Sequence, residues 1–278
     1  MKIVSTGKTL SLTEYHERRV RARRKRWMIY GGIILVVLVA LTLVSRLQSL
    51  RIKNITVIGA EAISTDLVRA VTLDALSGYY LWLVPRDNSL IYSRDTVIEM
   101  LNRKFPRFSS INLNLSNPTS LDISVIEREP FALYCGHLSG TSESSPCYFL
   151  DDQGFIFDTA PVFSEGVYFI YSSDPDFENP LGQEYLPREE FNLLGEFVRS
   201  LTTLGFKPLS VVMGEKEFQL STVTETKILW PRTDNFSAVF SNLESFLNDP
   251  AIKAQKDFIE KISELDLRTI NKVFWKLK

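Results

Sequence analysis

The sequence predicts an α+β protein with an N-terminal transmembrane helix, a small β-α-α-β-β unit and a larger β-rich domain with two helices. One apolar run, at 28–44, is uninterrupted by charge. The next stretch changes from strand-like to helical periodicity and back, and the remainder holds many short alternating runs. The predicted parts are a basic tail at 1–26, a spanning helix at 27–46, the small unit at 52–129 and the β-rich domain at 130–278.

The apolar run is long enough to cross a bilayer as a helix. With Trp27 and Ser45 it contains 19 residues, which extend over about 28 Å at about 1.5 Å per residue. A bilayer core is about 30 Å thick. A cleaved signal peptide is the alternative, but its apolar region is usually about 7–15 residues long. We therefore expect a retained anchor that contacts the lipid bilayer through residues 27–46.

Charge predicts the orientation of this anchor. The tail at 1–26 carries nine Lys or Arg and two Glu, hence +7, whereas the whole chain carries −1, which leaves −8 for the rest. The positive-inside rule places the tail in the cytoplasm. Nucleic-acid binding is the competing interpretation of such a cluster. The cluster directly adjoins the apolar run, so we expect a topology signal and no nucleic-acid partner.

The small unit is predicted from turn, cap and periodicity signals. A strand at 52–59 precedes a helix capped by Ser64, and a second helix is capped by Ser93. Between them, the aromatic segment at 78–85 predicts a buried extended stretch. Two runs of period two then flank Asn117–Pro118, which is typical of an antiparallel hairpin with one buried face.

Two cysteines begin the larger domain. Cys135 ends one strand-like run and Cys147 begins the next, with a polar loop between them. A hairpin would bring the two residues face to face, and the outer compartment permits oxidation. The interpretation is a disulfide, with two reduced thiols as the alternative.

The remainder of the domain alternates strands with two helices. Asp152-Gln153-Gly154 marks a hairpin. An amphipathic helix starts at Pro187 and ends at Gly205, and a second starts at Asp234 or Asn235. Further strands are predicted at 166–171, at 208–231 in three pieces, and at 264–269 and 273–277. The apolar face of the first helix consists of Phe191, Leu194, Phe197, Val198 and Leu201.

In this order and spacing, the elements resemble the FtsQ/DivIB family of bacterial cell-division proteins, whose membrane-proximal unit is a POTRA domain. The resemblance covers nearly the whole chain. Four stretches carry it: KNITVIGA at 53–60, LDISVIEREPFA at 121–132, FLDDQGFIFD at 149–158 and ELDLRTINKVFWK at 264–276.

The resemblance implies a division scaffold rather than an enzyme. It implies a location at the septum in the cytoplasmic membrane and single-span partners of the FtsB/DivIC and FtsL type. In relatives, the strand after the Asp-Leu-Arg motif is an edge that receives a partner strand. Carried over, that edge is a strand at 269–276, and its partner-binding residues are Thr269, Asn271, Val273, Phe274, Trp275 and Lys276.

The residues themselves favour no catalytic, cofactor or metal site. A Cys–His transpeptidase would need a thiolate activated by a nearby imidazole, and His137 lies only two residues from Cys135 in a polar loop. Asp151-Asp152 is interpreted as a solvated turn and Glu127-Arg128-Glu129 as exposed charge. Two alternatives to the scaffold stay open: a generic membrane-anchored binding module and an anchored hydrolase.

Overall fold

The computed structural model describes residues 12–136, 146–164, 166–233, 235–255 and 257–278, with the side chains of 12–19 and 22 left out. The described chain divides into two compact units. The first comprises residues up to 100 with 112–124, and the second comprises 101–111 with 125–278. This division differs from the predicted boundary at 129–130, because residues 101–111 and 125–129 belong to the second unit.

Helix α1 spans Leu12–Ser45. Its segment Arg23–Ser45 is long and apolar enough to cross a membrane, and none of its most hydrophobic window is buried against the rest of the chain. An apolar segment that is not buried against the described part of the chain is suited to a lipid environment. The predicted anchor therefore corresponds to a helix that is long enough to cross a membrane.

A three-stranded sheet and two helices follow α1, together with a small two-stranded hairpin. Strand β5 lies between β1 and β4, and β1 runs parallel to β5 with Ile55 opposite Leu121. Helix α3 begins where predicted, since the Ser93 hydroxyl accepts a hydrogen bond from the Thr96 N–H. The elements are β1 (Asn54–Ile58), α2 (Thr65–Ala75), β2 (Tyr79–Tyr80), β3 (Val84–Pro85), α3 (Arg94–Lys104), β4 (Phe108–Asn117) and β5 (Ser120–Glu127).

The segment at 78–85 is not the buried stretch that its composition predicts. It forms the hairpin of β2 and β3, and the side chains at its tip are almost fully exposed, Leu81 at 88% and Trp82 at 90%. The prediction was wrong because a run of apolar residues indicates only that water is disfavoured. Such a run does not indicate which surface the side chains contact instead of water.

The second unit is built on a nine-stranded sheet. The strand order is β14-β13-β12-β11-β10-β9-β6-β7-β8, with β9 parallel to both of its neighbours and β12 parallel to β13. The strands are β6 (Ala132–Cys135), β7 (Cys147–Leu150), β8 (Ile156–Thr159), β9 (Ile170–Ser173), β10 (Pro208–Met213), β11 (Glu217–Thr222), β12 (Lys227–Pro231), β13 (Ile262–Asp266) and β14 (Phe274–Leu277).

One face of this sheet carries the helices and the core. Along β11, Phe218 and Leu220 are fully buried whereas Gln219 between them is half-buried. The predicted apolar face of α4 is buried at all five positions. The side chain of Asn235 caps α5, so the second helix starts at the second of its two proposed residues, and Asp234 lies outside the described part. The helices are α4 (Arg188–Thr203), α5 (Phe236–Leu247), α6 (Pro250–Lys253) and α7 (Phe258–Lys261).

Two charges that the sequence suggests are solvated lie inside the second unit. Asp151 is 4% exposed, and one of its carboxylate oxygens accepts hydrogen bonds from the N–H groups of Gln153 and Phe155. Its other oxygen is paired with Arg128. Buried charges require such partners, because an unpaired charge in a protein interior is costly. The tertiary structure therefore turns two motif residues into an internal ion pair.

Gly154 is a position where a side chain does not fit. Its φ is +84°, and a Cβ placed there would lie 2.7 Å from the Phe191 ring. We expect Gly154→Ala to lower the free energy of unfolding by about 2 kcal/mol, from the left-handed backbone and the overpacking together. Chemical denaturation measures the change. Gly195→Ala, in α4 with open space around it, is the matched control and should be neutral or slightly stabilising. Equal effects of the two substitutions would contradict the steric argument.

Candidate partner-binding edge

The motif Asp266-Leu267-Arg268 ends β13 and anchors the turn that leads to β14. Leu267 is buried, and its N–H donates to the Leu229 carbonyl at 2.8 Å. The Arg268 guanidinium binds both carboxylate oxygens of Asp266, at 2.9 and 2.6 Å, and Glu217 at 2.8 Å. The motif therefore acts as a clamp between β11, β12 and β13.

The same clamp stabilises the ionised carboxylate at the end of β13. The hydrogen bond from Arg268 is the main reason that the pKa of Asp266 lies below its ordinary value. Because the pair is partly solvent-exposed, its contribution to stability is modest, and its main effect is to orient the chain entering the turn.

The strand after this turn is shorter than predicted. Thr269 and Asn271 lie in the turn: the Thr269 carbonyl accepts from the Lys272 N–H at 3.2 Å, and Asn271 has a φ of +56°. Asparagine tolerates this left-handed conformation, which interrupts an extended strand. The predicted strand at 269–276 is corrected to Phe274–Leu277.

The residues around β14 alternate between two environments, as a period of two predicts. Val273 packs against the core of the second unit. Trp275, on the same side, contacts the Phe258 ring edge-on with centroids 5.4 Å apart and is still 40% exposed. Phe274 lies on the opposite face and is 55% exposed. All residues of β14 are exposed, so the strand leaves apolar surface open on both of its faces.

Strand β14 forms the edge of the nine-stranded sheet. Among the strands that the structure describes it pairs only with β13, with Trp275 opposite Leu265. The Lys278 N–H donates to the Lys261 carbonyl at 2.9 Å and so points toward β13. Backbone direction alternates along an antiparallel strand. The N–H groups of Trp275 and Leu277 therefore point to the open side, where a further strand would bind.

The lysines of this edge are held within the second unit. The Lys276 ammonium forms an ion pair with Glu264, its cross-strand neighbour, at 2.9 Å. The Lys278 ammonium donates to the carbonyls of Thr224 and Glu260. Lys272 is exposed in the turn. The edge therefore has positive charge beside it, and the side chains leave the backbone of β14 accessible.

Two further exposed apolar residues belong to this surface and were missed by sequence reasoning. Ile270 is 85% exposed at the tip of the turn, and Leu277 is half-exposed on β14. Arg268 was likewise noticed only as part of a motif, not as a link to Glu217. The available signal was the density of apolar residues near the chain end, which by itself does not distinguish surface from core.

The other chemically suggestive residues form a structural crosslink. Cys135 and Cys147 are opposite each other on β6 and β7 and are joined by a disulfide. This is the pairing interpreted from the sequence, and both cysteines of the chain are consumed by it. A nucleophilic thiol is therefore not available at either position. His137 lies outside the described residues.

Comparison with known proteins does not identify a family for this chain. No protein-family model matches the chain. No curated protein matches it either.

Proposed function

We propose that this chain is a non-enzymatic scaffold of bacterial cell division that binds a partner strand along β14. The observation that carries the proposal is an edge strand whose residues are all exposed although three of four are large and apolar. Exposed, apolar edge strands are aggregation hazards unless a partner covers them. A partner strand bound along β14 would cover this apolar surface and remove the hazard of aggregation.

Strand addition is the mode of recognition that fits this edge. The outward N–H groups of Trp275 and Leu277 offer backbone hydrogen bonds, which supply affinity independent of sequence. Side chains on alternate sides supply specificity, through Phe274 on one face and Trp275 on the other. The adjacent Lys272 favours an acidic partner segment, whereas the charge of Lys276 is compensated by Glu264. Partners of the FtsB/DivIC type, together with FtsL-type proteins, are the proposed ligands on the basis of the family resemblance.

The proposed location is the cytoplasmic membrane at the division septum. The apolar part of helix α1 supplies one membrane span, and the basic residues at 18–26, just N-terminal to the apolar run at 28–44, favour a cytoplasmic N-terminus. The second unit would then lie outside the cytoplasm. A disulfide between Cys135 and Cys147 agrees with that side of the membrane, since disulfides persist in oxidising compartments. By the same resemblance, we propose that the first unit is a POTRA-like domain that recruits other division proteins.

A membrane pull-down from the native host tests the proposal. Wild-type chain is expected to retain an FtsB/FtsL-like pair, and deletion of residues 272–278 is expected to abolish its capture. Phe274→Lys should weaken capture, because it places a charge on the apolar face of the edge. Val162→Lys, at an apolar residue that is 98% exposed, is the matched control and should have no effect.

The outcomes separate the site from the function. Capture that survives the deletion would move the site away from β14 and leave the scaffold proposal standing. Absence of any division protein from the wild-type sample would overturn the scaffold proposal itself.

A further inference from the structure

The hairpin tip between β2 and β3 exposes a concentrated apolar surface. Leu81 and Trp82 are almost fully exposed, and Leu83 is about half-exposed. Leu47, which follows α1, and Leu90 and Ile91, which follow the hairpin, are exposed as well. We call Leu47, Leu81, Trp82, Leu83, Leu90 and Ile91 the apolar collar. A soluble surface rarely exposes so many large apolar side chains within one short region.

The backbone at the tip is unfavourable for the residues it carries. Leu81 has a φ of +46° and Trp82 a φ of +65°. Tight hairpin turns of this kind normally use glycine, asparagine or aspartate, whereas large apolar residues are rare at positive φ. Unfavourable backbone conformations of this kind cluster at functional sites, which motivates a search for a function at the tip. The side chains that project from this tip are those of Leu81 and Trp82.

Hydrogen bonds tie this hairpin region to the end of the apolar helix. The Asn88 side-chain amide donates to the Ser45 carbonyl at 2.8 Å. The Arg46 guanidinium donates to the Leu83 carbonyl at 3.2 Å. Ser45 is the last residue of α1 and of its membrane-length segment. Within the first unit, the hairpin region is therefore held beside the end of the membrane-length segment.

We infer that the apolar collar is a second membrane contact, with Trp82 inserted into the lipid interface on the outer side of the bilayer. The occupant is lipid because the collar adjoins the end of the spanning helix, and tryptophan is enriched at that depth. The inference rests on the membrane anchor of the proposed function. Attachment at two points would restrict how the first unit rotates about its anchor.

Tryptophan fluorescence of the full chain in phosphatidylcholine–phosphatidylglycerol vesicles tests this inference. The chain has four tryptophans, so the difference between wild type and Trp82→Phe isolates the emission of Trp82. We expect that emission to be blue-shifted and to be quenched at least twofold by lipids brominated near the headgroup end of the acyl chain. Emission at the wavelength of tryptophan in water, quenched by acrylamide instead, would overturn the inference.

Trp27 provides the control for the anchor. The difference between wild type and Trp27→Phe should show quenching by brominated lipid if α1 spans the bilayer. Quenching at Trp27 without quenching at Trp82 would refute the collar contact while the anchor stands. Loss of quenching at both would refute the anchor and the collar together.

A second variant distinguishes lipid from a protein occupant. Leu81→Asp should reduce the brominated-lipid quenching of Trp82, because a charged neighbour opposes insertion. If Trp82 is shielded from acrylamide yet insensitive to brominated lipid and to Leu81→Asp, the collar contacts protein, and the lipid inference is wrong.

Discussion

Replacing Arg128 with alanine is expected to destabilise the second unit by about 3 kcal/mol, the lower end of the range for breaking a buried ion pair. The side chains of Arg128 and of its partner Asp151 are 17% and 6% exposed. The guanidinium also donates to the Pro106 carbonyl at 3.1 Å and lies 4.1 Å from the centre of the Phe155 ring. Truncation therefore leaves a buried carboxylate with two backbone donors but without a countercharge.

Chemical denaturation of the detergent-solubilised chain measures this loss. Unfolding is followed by the change in tryptophan fluorescence that occurs when the buried Trp230 becomes exposed. Arg232→Ala removes a more exposed ion pair with Glu190 and should cost less than about 1 kcal/mol. Adding Asp151→Asn to Arg128→Ala should recover part of the loss, because the unpaired charge is then gone. A loss for Arg128→Ala no larger than that for Arg232→Ala would contradict the assignment of a buried pair.

Leu277→Pro is expected to weaken binding of the partner strand by about five- to a hundredfold relative to Leu277→Ala. Both substitutions remove the leucine side chain, but only proline removes the N–H that points away from β13. Leaving a buried acceptor on the partner unsatisfied costs about 1–3 kcal/mol, and about 1.4 kcal/mol corresponds to a factor of ten. The comparison isolates one backbone hydrogen bond at the proposed interface.

Titration of the captured partner pair onto the chain in lipid nanodiscs measures the two dissociation constants. Far-ultraviolet circular dichroism should show that both variants keep the wild-type fold, since the pairing between β13 and β14 uses the opposite side of the strand. Equal affinities for the proline and alanine variants would exclude strand addition at Leu277. An intact fold with weaker binding only for proline supports it.

Local sequence patterns predicted the elements that are defined by residues close together in the chain. The apolar face of α4 was predicted residue by residue, because a helical period of 3.6 places those side chains together whatever they pack against. The same holds for β7 and β8, where Gly154 supplies the turn between adjacent strands. The short helices α6 and α7 were missed, because four residues are too few to display a period.

The environment of single residues could not be predicted in the same way. Asp151 and Arg128 are 23 residues apart in the chain, and nothing local to either indicates that they meet. Trp82 and Trp230 illustrate the same limit: one is 90% exposed and the other fully buried. Their immediate sequences, Leu-Trp-Leu and Leu-Trp-Pro, are similar.

By itself, the sequence determined the α+β class, the membrane-length helix, most strand and helix positions and the hairpin that places the two cysteines opposite each other. These properties depend on hydrophobic periodicity, on turn residues and on the pairing of strands that are adjacent in the sequence. All three are encoded within short stretches of the chain. Only the tertiary structure decided that β14 lies at the edge of its sheet, that Asp151 is buried and that the hairpin tip is exposed. Those outcomes depend on which distant segments meet, because burial is a property of the assembled surface rather than of any residue within it.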